Sequence, residues 1–347
     1  MRLHSIHFVG SVLIVGGFAS KCVRFPKPAP VTGYDKTLVA NREQCERLNQ
    51  RLGQRVKFPN DTSYGDTLAG YWSIQESDIR PSCVLQPLTA QDVAVAVSII
   101  SAVEDCNFAV KGHGHAPAAG FANVKDGVTI DMTNLASVSL NGNHLVAKVG
   151  AGAKWLDVYQ HLDGSDVQVA GGRNGNVGVG GLLVGGGISH FTTRVGWACD
   201  SVVNYEVVLS NGSLINANRD SNSDLFLALK GGGNNYGVVT RYDLATFPQG
   251  DISTTTISYD ISQISSVFEA FTDMLDSATY DPQASLVMSL LYSSTTGAWT
   301  LKCSAVYTEP VAQPAVFENL VSIRHQSLER EITTLAKFAD EAETPPL

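Results

Sequence analysis

Two stretches carry residue types whose spacing could do chemistry. Lys111-Gly112-His113-Gly114-His115 sets a lysine and two imidazoles in a loop with little side-chain bulk. From Gly171 to Gly187, nine glycines fall within seventeen residues, separated by Arg173, Asn174, Asn176, valines and leucines. A flexible linker would carry serines between its glycines, so this run reads as packed backbone. Glycine at that density removes side chains where something large lies against the chain, such as a diphosphate or a flat ring. His113 and His115, at i and i+2, would face one side of an extended segment and could also hold a metal. No further His or carboxylate lies close in sequence to complete such a site.

Spacing excludes several other chemistries. A dinucleotide fingerprint needs Gly-x-Gly-x-x-Gly; Gly178 and Gly180 fit, but Leu183 takes the third place. No Gly-x-x-x-x-Gly-Lys-Ser/Thr phosphate loop occurs, nor a His-Glu-x-x-His zinc motif. The Gly-x-Ser-x-Gly elbow of serine hydrolases is missing, and so is any Cys-x-x-Cys.

The elements that must position these loops are legible in outline. Residues 41–52 read as a helix with Cys45, Leu48 and Leu52 on one face, and residues 60–82 as irregular and aromatic-rich. Thr89 is an N-cap with Asp92 three residues on, opening a helix whose apolar face runs through Val93, Val97, Ile100 and Val103. A strand over Phe108–Lys111 feeds directly into the Gly-His loop. Val128–Asp131 and Leu145–Val149 read as further strands, and Lys154–Leu162 as a helix with Trp155, Val158 and Leu162 inward. Val202–Leu209 and Ser213–Ala217 form a hairpin around Asn211-Gly212. A helix over Asp224–Leu229 and a strand over Gly237–Phe247 follow. Near Pro248-Gln249-Gly250 the pattern changes. A long helix, Ile261–Leu275, precedes two strands around Thr295-Thr296-Gly297, and helical pattern then runs to Ala342. Strands and helices mix without regular alternation, so the fold class is α+β.

The 347 residues predict about two domains, and 44% hydrophobic residues suffice for a sizeable core. Only 16% are charged, which argues against disorder. A net charge of −9, with no basic stripe, excludes nucleic acid and an anionic membrane surface as partners. The N-terminus predicts a secretory signal over residues 1–19: Arg2, an apolar stretch from Phe8 to Phe18, and small residues at Gly17 and Ala19. Secretion would permit disulfides among the six cysteines, whose fifteen pairings spacing cannot choose between. Two glycosylation sequons appear: Asn60-Asp61-Thr62 in a polar loop, and Asn211-Gly212-Ser213 in a tight turn.

Seven segments, in order, carry a family resemblance. They are Arg80–Val84, Lys111–Gly120, Val149–Trp155, Val177–Gly187, Gly196–Asp200, Asp224–Phe226 and Lys230–Arg241. From about Pro81 to Pro248 the chain resembles the PCMH-type FAD-binding domain of the vanillyl-alcohol oxidase and berberine bridge enzyme-like family, fungal secreted type. The resemblance divides the chain into residues 20–78 as an N-terminal segment of the FAD domain, 79–250 as the FAD-binding domain, and 251–347 as a partial substrate domain.

It implies FAD held by one covalent bond, from His115 to the flavin 8α-methyl. The position of a second, cysteine link in some relatives is Asn174 here. Lys111, Gly112, His113, Gly114 and Ala116 would wrap the diphosphate, though the family has glycine where this chain has His113. Val177, Gly178, Gly180, Gly181, Gly185, Gly186 and Gly187 would lie along the ring and diphosphate. Asp200, with Gly237, Val238 and Val239, would close the site. Val177 resembles the oxygen-reactive members. A Cys45–Cys106 disulfide is implied as well, with Cys83–Cys199 as a further pairing and Cys303 buried.

The activity implied is hydride transfer from an alcohol, sugar or secondary metabolite to FAD, with O2 accepting the electrons to give H2O2 in a monomeric enzyme. Relatives continue past this length and carry a tyrosine base on a later segment; no tyrosine follows Tyr307 here, so no catalytic base is assigned. The alternatives are a catalytically inactive flavin-binding protein, a dehydrogenase with another acceptor, and a metal protein using His113 and His115.

Overall fold

The computed structural model describes residues 36–341, except 104, 105, 277, 279 and 294–296. The expected signal at 1–19, Cys22 and the turn residues Thr295 and Thr296 lie outside the described residues.

The first sheet has the order β1–β2–β4–β3, from Val56–Lys57, Cys83–Leu85, Val128–Asp131 and Phe108–Lys111 taken as β1, β2, β4 and β3. β3 and β2 both run parallel to β4, and β1 is antiparallel to β2. Parallel strands need a crossover, which α4 (Ala90–Ile100) supplies between β2 and β3. Its start is set by a capping box: Thr89 Oγ1 accepts the Asp92 N–H at 3.1 Å, and Asp92 Oδ2 accepts the Thr89 N–H at 3.1 Å. Val93, Val97 and Ile100 are buried beneath it.

The N-terminal helix α1 spans Lys36–Leu52 and buries Cys45, Leu48 and Leu52. It is bonded to the first sheet by a Cys45–Cys83 disulfide with a Cα–Cα distance of 5.9 Å. This corrects the expected Cys45–Cys106 and Cys83–Cys199 pairings. Helix α1 sets Cys45 against the start of β2, within the span a disulfide can bridge. Cys199 and Cys303 are buried thiols, and burial pushes Cys303 up to about 11.

Between α1 and β2, residues expected to be irregular form α2 (Thr62–Ala69) and α3 (Ile74–Ser77). The signal is weak because both helices are short and Gly65 interrupts the first.

The second sheet is antiparallel, β5–β6–β10–β8–β9, built from Val138–Leu140, Val146–Gly150, Val238–Ala245, Val202–Val208 and Leu214–Asn218. Helix α5 (Trp155–Leu162) follows β6 and buries Trp155, Val158, Tyr159 and Leu162. The glycine run holds α6 (Val179–Val184), and α7 (Thr192–Val195) and α8 (Ser223–Leu229) lie beyond it. Short strands β7 (Val167–Gln168) and β11 (Phe247–Pro248) pair with each other.

The third sheet, β13–β14–β12–β15, joins Ala284–Ser293, Ala298–Tyr307, Ile252–Asp260 and Ser327–Thr333, all antiparallel. One face packs under α9 (Ile264–Met274) and α10 (Glu318–Ser322), burying Ile257, Tyr259, Val267, Leu301, Cys303 and Leu320 in a core of its own. β15 replaces the helix expected there. Its Leu, Glu and Arg favour a helix locally, but seven residues pair along β12, and the ladder overrides the local preference. Helix α11 (Leu335–Glu341) then returns to the first core through Leu335, Ala336 and Ala339.

The disulfide closes a separation of 38 residues, so chain entropy assigns it about 4 kcal/mol. The doubly substituted Cys45→Ala/Cys83→Ala chain should lose about that much in urea unfolding, and non-reducing peptide mapping should recover a Cys45–Cys83 peptide. Recovery of a Cys45–Cys106 peptide would contradict this arrangement.

Candidate active site

The site grows from the carboxyl ends of two parallel strands. Lys111 ends β3, Asp131 ends β4, and the two are Cα partners in register. Both side chains are buried, with Lys111 Nζ 3.5 Å from Asp131 Oδ2. Thr67 Oγ1 donates to the same carboxylate oxygen at 2.8 Å, and the Lys111 ammonium lies 5.3 Å over the Tyr71 ring. These groups floor a cleft of about 450 Å³ whose lining also includes Trp72, His113, His115, Lys154 and Asn176.

The Gly-His loop leaves β3 over this floor. His113 Nε2 donates to the Gly152 carbonyl at 2.7 Å. Gly114 sits at φ +68°, and a Cβ there would lie 2.6 Å from the Tyr71 ring, so glycine is required on both counts. His115 is half-buried with its ring 5.2 Å from Trp72, and burial holds its imidazole below the ordinary histidine range. A neutral imidazole keeps a lone pair on one nitrogen. Ala116 follows, half-buried. The N–H groups of His113, Gly114, His115 and Ala116 donate to no acceptor among the described residues. Successive unspent main-chain donors beside buried lysine form a concavity suited to an anion.

Residues 71–79 clamp this loop from outside. The Trp72 N–H donates to Gly114 O at 3.0 Å, Ser73 Oγ to Pro117 O at 3.1 Å, and Tyr71 OH to Ala122 O at 2.8 Å. The buried Glu76 carboxylate accepts from the N–H groups of Gly120, Phe121 and Ala122 at 3.2, 2.8 and 2.7 Å. Burial pushes Glu76 above the ordinary carboxyl range, and those three donors pull it back.

Of the residues expected at the site, Lys111, His113 and His115 line the cleft, with Gly112 and Gly114 between them. Most of the glycine run faces protein. A Cβ on Gly171 or Gly172 would fall 2.2 or 2.5 Å from the Trp155 ring, and one on Gly178 would fall 2.9 Å from His113 N. Gly180 accepts from Tyr242 OH at 3.1 Å, Gly185 caps α6, and Gly186 and Gly187 accept from the Cys199 and Ala198 N–H groups. Only Gly181 in this set of seven, with Val177 aside as a half-buried side chain, would meet nothing within 4 Å if given a Cβ.

Asp200 is not brought to the cleft. Its Oδ2 accepts the Trp197 N–H at 3.0 Å and its carbonyl accepts from Lys230 Nζ at 3.0 Å. Gly237, at φ +143°, directly precedes β10, which Val238 and Val239 begin, and the two valines are core. Sequence reasoning missed Thr67, Tyr71, Trp72, Asp131, Lys154 and Asn176; the aromatic cluster in 60–82 was the available signal.

The lining of the cleft suits a dinucleotide with a flat ring. It combines unspent main-chain donors, Lys111 and Lys154 for negative charge, and a buried Trp72 Nε1 with no partner on its wall. Residues 81–218 match the family described as FAD binding domain. The FAD-dependent monooxygenase tpcD of Cochliobolus heterostrophus is 39% identical over 267 residues, 76% of this chain and 51% of that protein. The chain therefore carries an FAD binding domain and is similar to fungal FAD-dependent monooxygenases over about half of their length. The FAD-dependent monooxygenase sdcF of Emericella nidulans is 39% identical over 282 residues, covering 80% of this chain and 59% of that one. The chain thus spans about half the length of the curated relatives it matches. The fold is shared with BBE-like 1 of Physcomitrella patens, at TM-score 0.74 and 20% identity over 87% of this chain and 66% of that one.

Replacing Glu76 by alanine would strand three main-chain donors around residues 120–122. Glu76→Ala should therefore lose about 2–4 kcal/mol in urea unfolding. An unchanged unfolding midpoint would show that the clamp does not hold the loop.

Proposed function

We propose that this chain binds FAD in the cleft through a single covalent bond from His115 to the flavin 8α-methyl, and serves as the flavin-binding part of an oxidoreductase that uses O2. The observation that carries this reading is the position of His115: a half-buried imidazole ending a loop of unspent N–H groups, inside the FAD-binding domain.

Bound flavin would supply hydride acceptance from a substrate carbon and electron transfer to O2, giving H2O2. The protein's part is positioning and electrostatics. Main-chain donors at 113–116 and the ammonium groups of Lys111 and Lys154 would hold the diphosphate. The Trp72 ring packs beside His115 at 5.2 Å, and Tyr71 lies against the backbone at Gly114. Burial keeps His115 neutral, which leaves a nitrogen lone pair available for the link. Two observations favour O2 as acceptor: Val177 resembles the oxygen-reactive members, and the curated relatives named above are FAD-dependent monooxygenases. The substrate is inferred to be a small alcohol, sugar or secondary metabolite, the working form a monomer, and the protein secreted.

The purified chain should be yellow, and the colour should stay with the acid-precipitated protein. His115→Ala should release it into the supernatant. Colour that remains with the precipitate in His115→Ala would place the link elsewhere, and a colourless protein would sink the flavin reading. Peroxide release on adding sugars or alcohols would separate an oxidase from a dehydrogenase or an inactive flavin-binding protein.

The two sequons give a test of secretion. Asn60 is exposed just ahead of α2, whereas Asn211 Oδ1 accepts the Ser213 N–H at 2.9 Å within a tight turn. Protein collected from the medium of a eukaryotic host should carry one endoglycosidase-sensitive glycan, lost in Asn60→Gln and kept in Asn211→Gln. Absence of any glycan on exported protein would contradict this.

A further inference from the structure

Position 113 sets a histidine between two glycines of the loop that follows β3. The Nε2–H of that imidazole is spent on Gly152 O at 2.7 Å, which leaves Nδ1 as the nitrogen able to take up a proton. Room for the ring comes from Gly178, where a Cβ would stand 3.2 Å from the His113 Cβ and 3.3 Å from its Cδ2. The side chain lines the cleft together with Lys111 and Lys154.

The charged groups around it come from several elements. Lys111 ends β3, Asp131 ends β4, Lys154 precedes α5, and Asp66 of α2 borders the same cleft. Burial, and then the two ammonium groups, hold His113 below the ordinary histidine range; the Gly152 bond and Asp131 oppose them. Without an anion in the cleft, the ring is therefore neutral at neutral pH.

We propose that His113 is a pH-dependent anion-binding arm of the cleft, its Nδ1 taking up a proton and donating it to a phosphoryl oxygen of a diphosphate-bearing cofactor. This rests on the flavin reading above. Burial is the first cause of the neutral ring, but a diphosphate set against Lys111 and Lys154 would offset the lysine repulsion and attract the charged ring directly, so binding draws a proton onto it. By linkage, the affinity gain is complete below the free ring's pKa and is lost as pH rises through the higher pKa of the bound state. A glycine at 113 would leave only main-chain donors and the two lysines to meet the phosphates.

The test uses the full chain carrying His115→Ala, so that FAD binds reversibly and flavin fluorescence reports its affinity. Between about pH 8 and about pH 5.5 the affinity for FAD should rise about tenfold, while that for riboflavin, which has no phosphate, stays level. Adding His113→Gly or His113→Gln should flatten the FAD profile; glutamine keeps a donor for Gly152 O and so guards against a folding artefact. The proposal is overturned if the rise persists in both variants, or if riboflavin shows the same rise. If the His115→Ala chain binds FAD at no pH, the flavin reading itself falls and takes this inference with it.

Discussion

The site depends on one buried contact, the pairing of Lys111 with Asp131 at the carboxyl ends of adjacent parallel strands. Neither charge could stand alone in that position, because an unpaired buried ion carries an uncompensated desolvation cost. The pair is completed by Thr67 and by the face of Tyr71. Everything that follows β3 takes its position from there. The loop leaves the sheet over the pair, Gly114 rides on Tyr71, and His115 comes to rest beside Trp72. Open α/β sheets place their ligands in the crevice beyond the carboxyl ends of the strands for the same topological reason.

The glycine run packs closely against the protein itself. Gly171 and Gly172 make room for Trp155, and Gly178 makes room for the His113 ring. Close packing of main chain on a large indole needs the missing Cβ atoms as much as a bound ring would. The run therefore acts on the cleft at one remove: it holds α5 and the Gly-His loop against each other. Gly175 extends this role by donating to the Ala339 carbonyl at 3.0 Å, which ties α11 to the first core.

The third sheet is joined to this frame at few points. His190, buried in the segment after the glycine run, has Nδ1 3.1 Å from Ser285 Oγ on β13, and its ring lies 5.6 Å from Phe338 on α11. Burial drives its imidazole down to about 3, so it serves as a neutral polar contact between the two cores. The far end of the β13–β14 hairpin leaves Leu290, Leu291, Tyr292 and Trp299 about half exposed.

The sequence by itself determined the local features. Strand β3 runs into a Gly-His loop, Thr89 and Asp92 start α4, Asn211-Gly212 turns a hairpin, and the ordered segments carry a family likeness. These are legible because caps, turns and side-chain periods act over a few residues. Only the tertiary structure decided which distant groups meet. Cys45 bonds to Cys83, β15 borrows its ladder from β12, and Glu76 reaches residues more than forty positions away. Thr67 meets Asp131 across 64 positions, and so the floor of the cleft was invisible in the sequence. The reason is physical: a hydrogen bond or a disulfide between remote residues leaves no periodic trace, and it exists only once packing has set both partners in place.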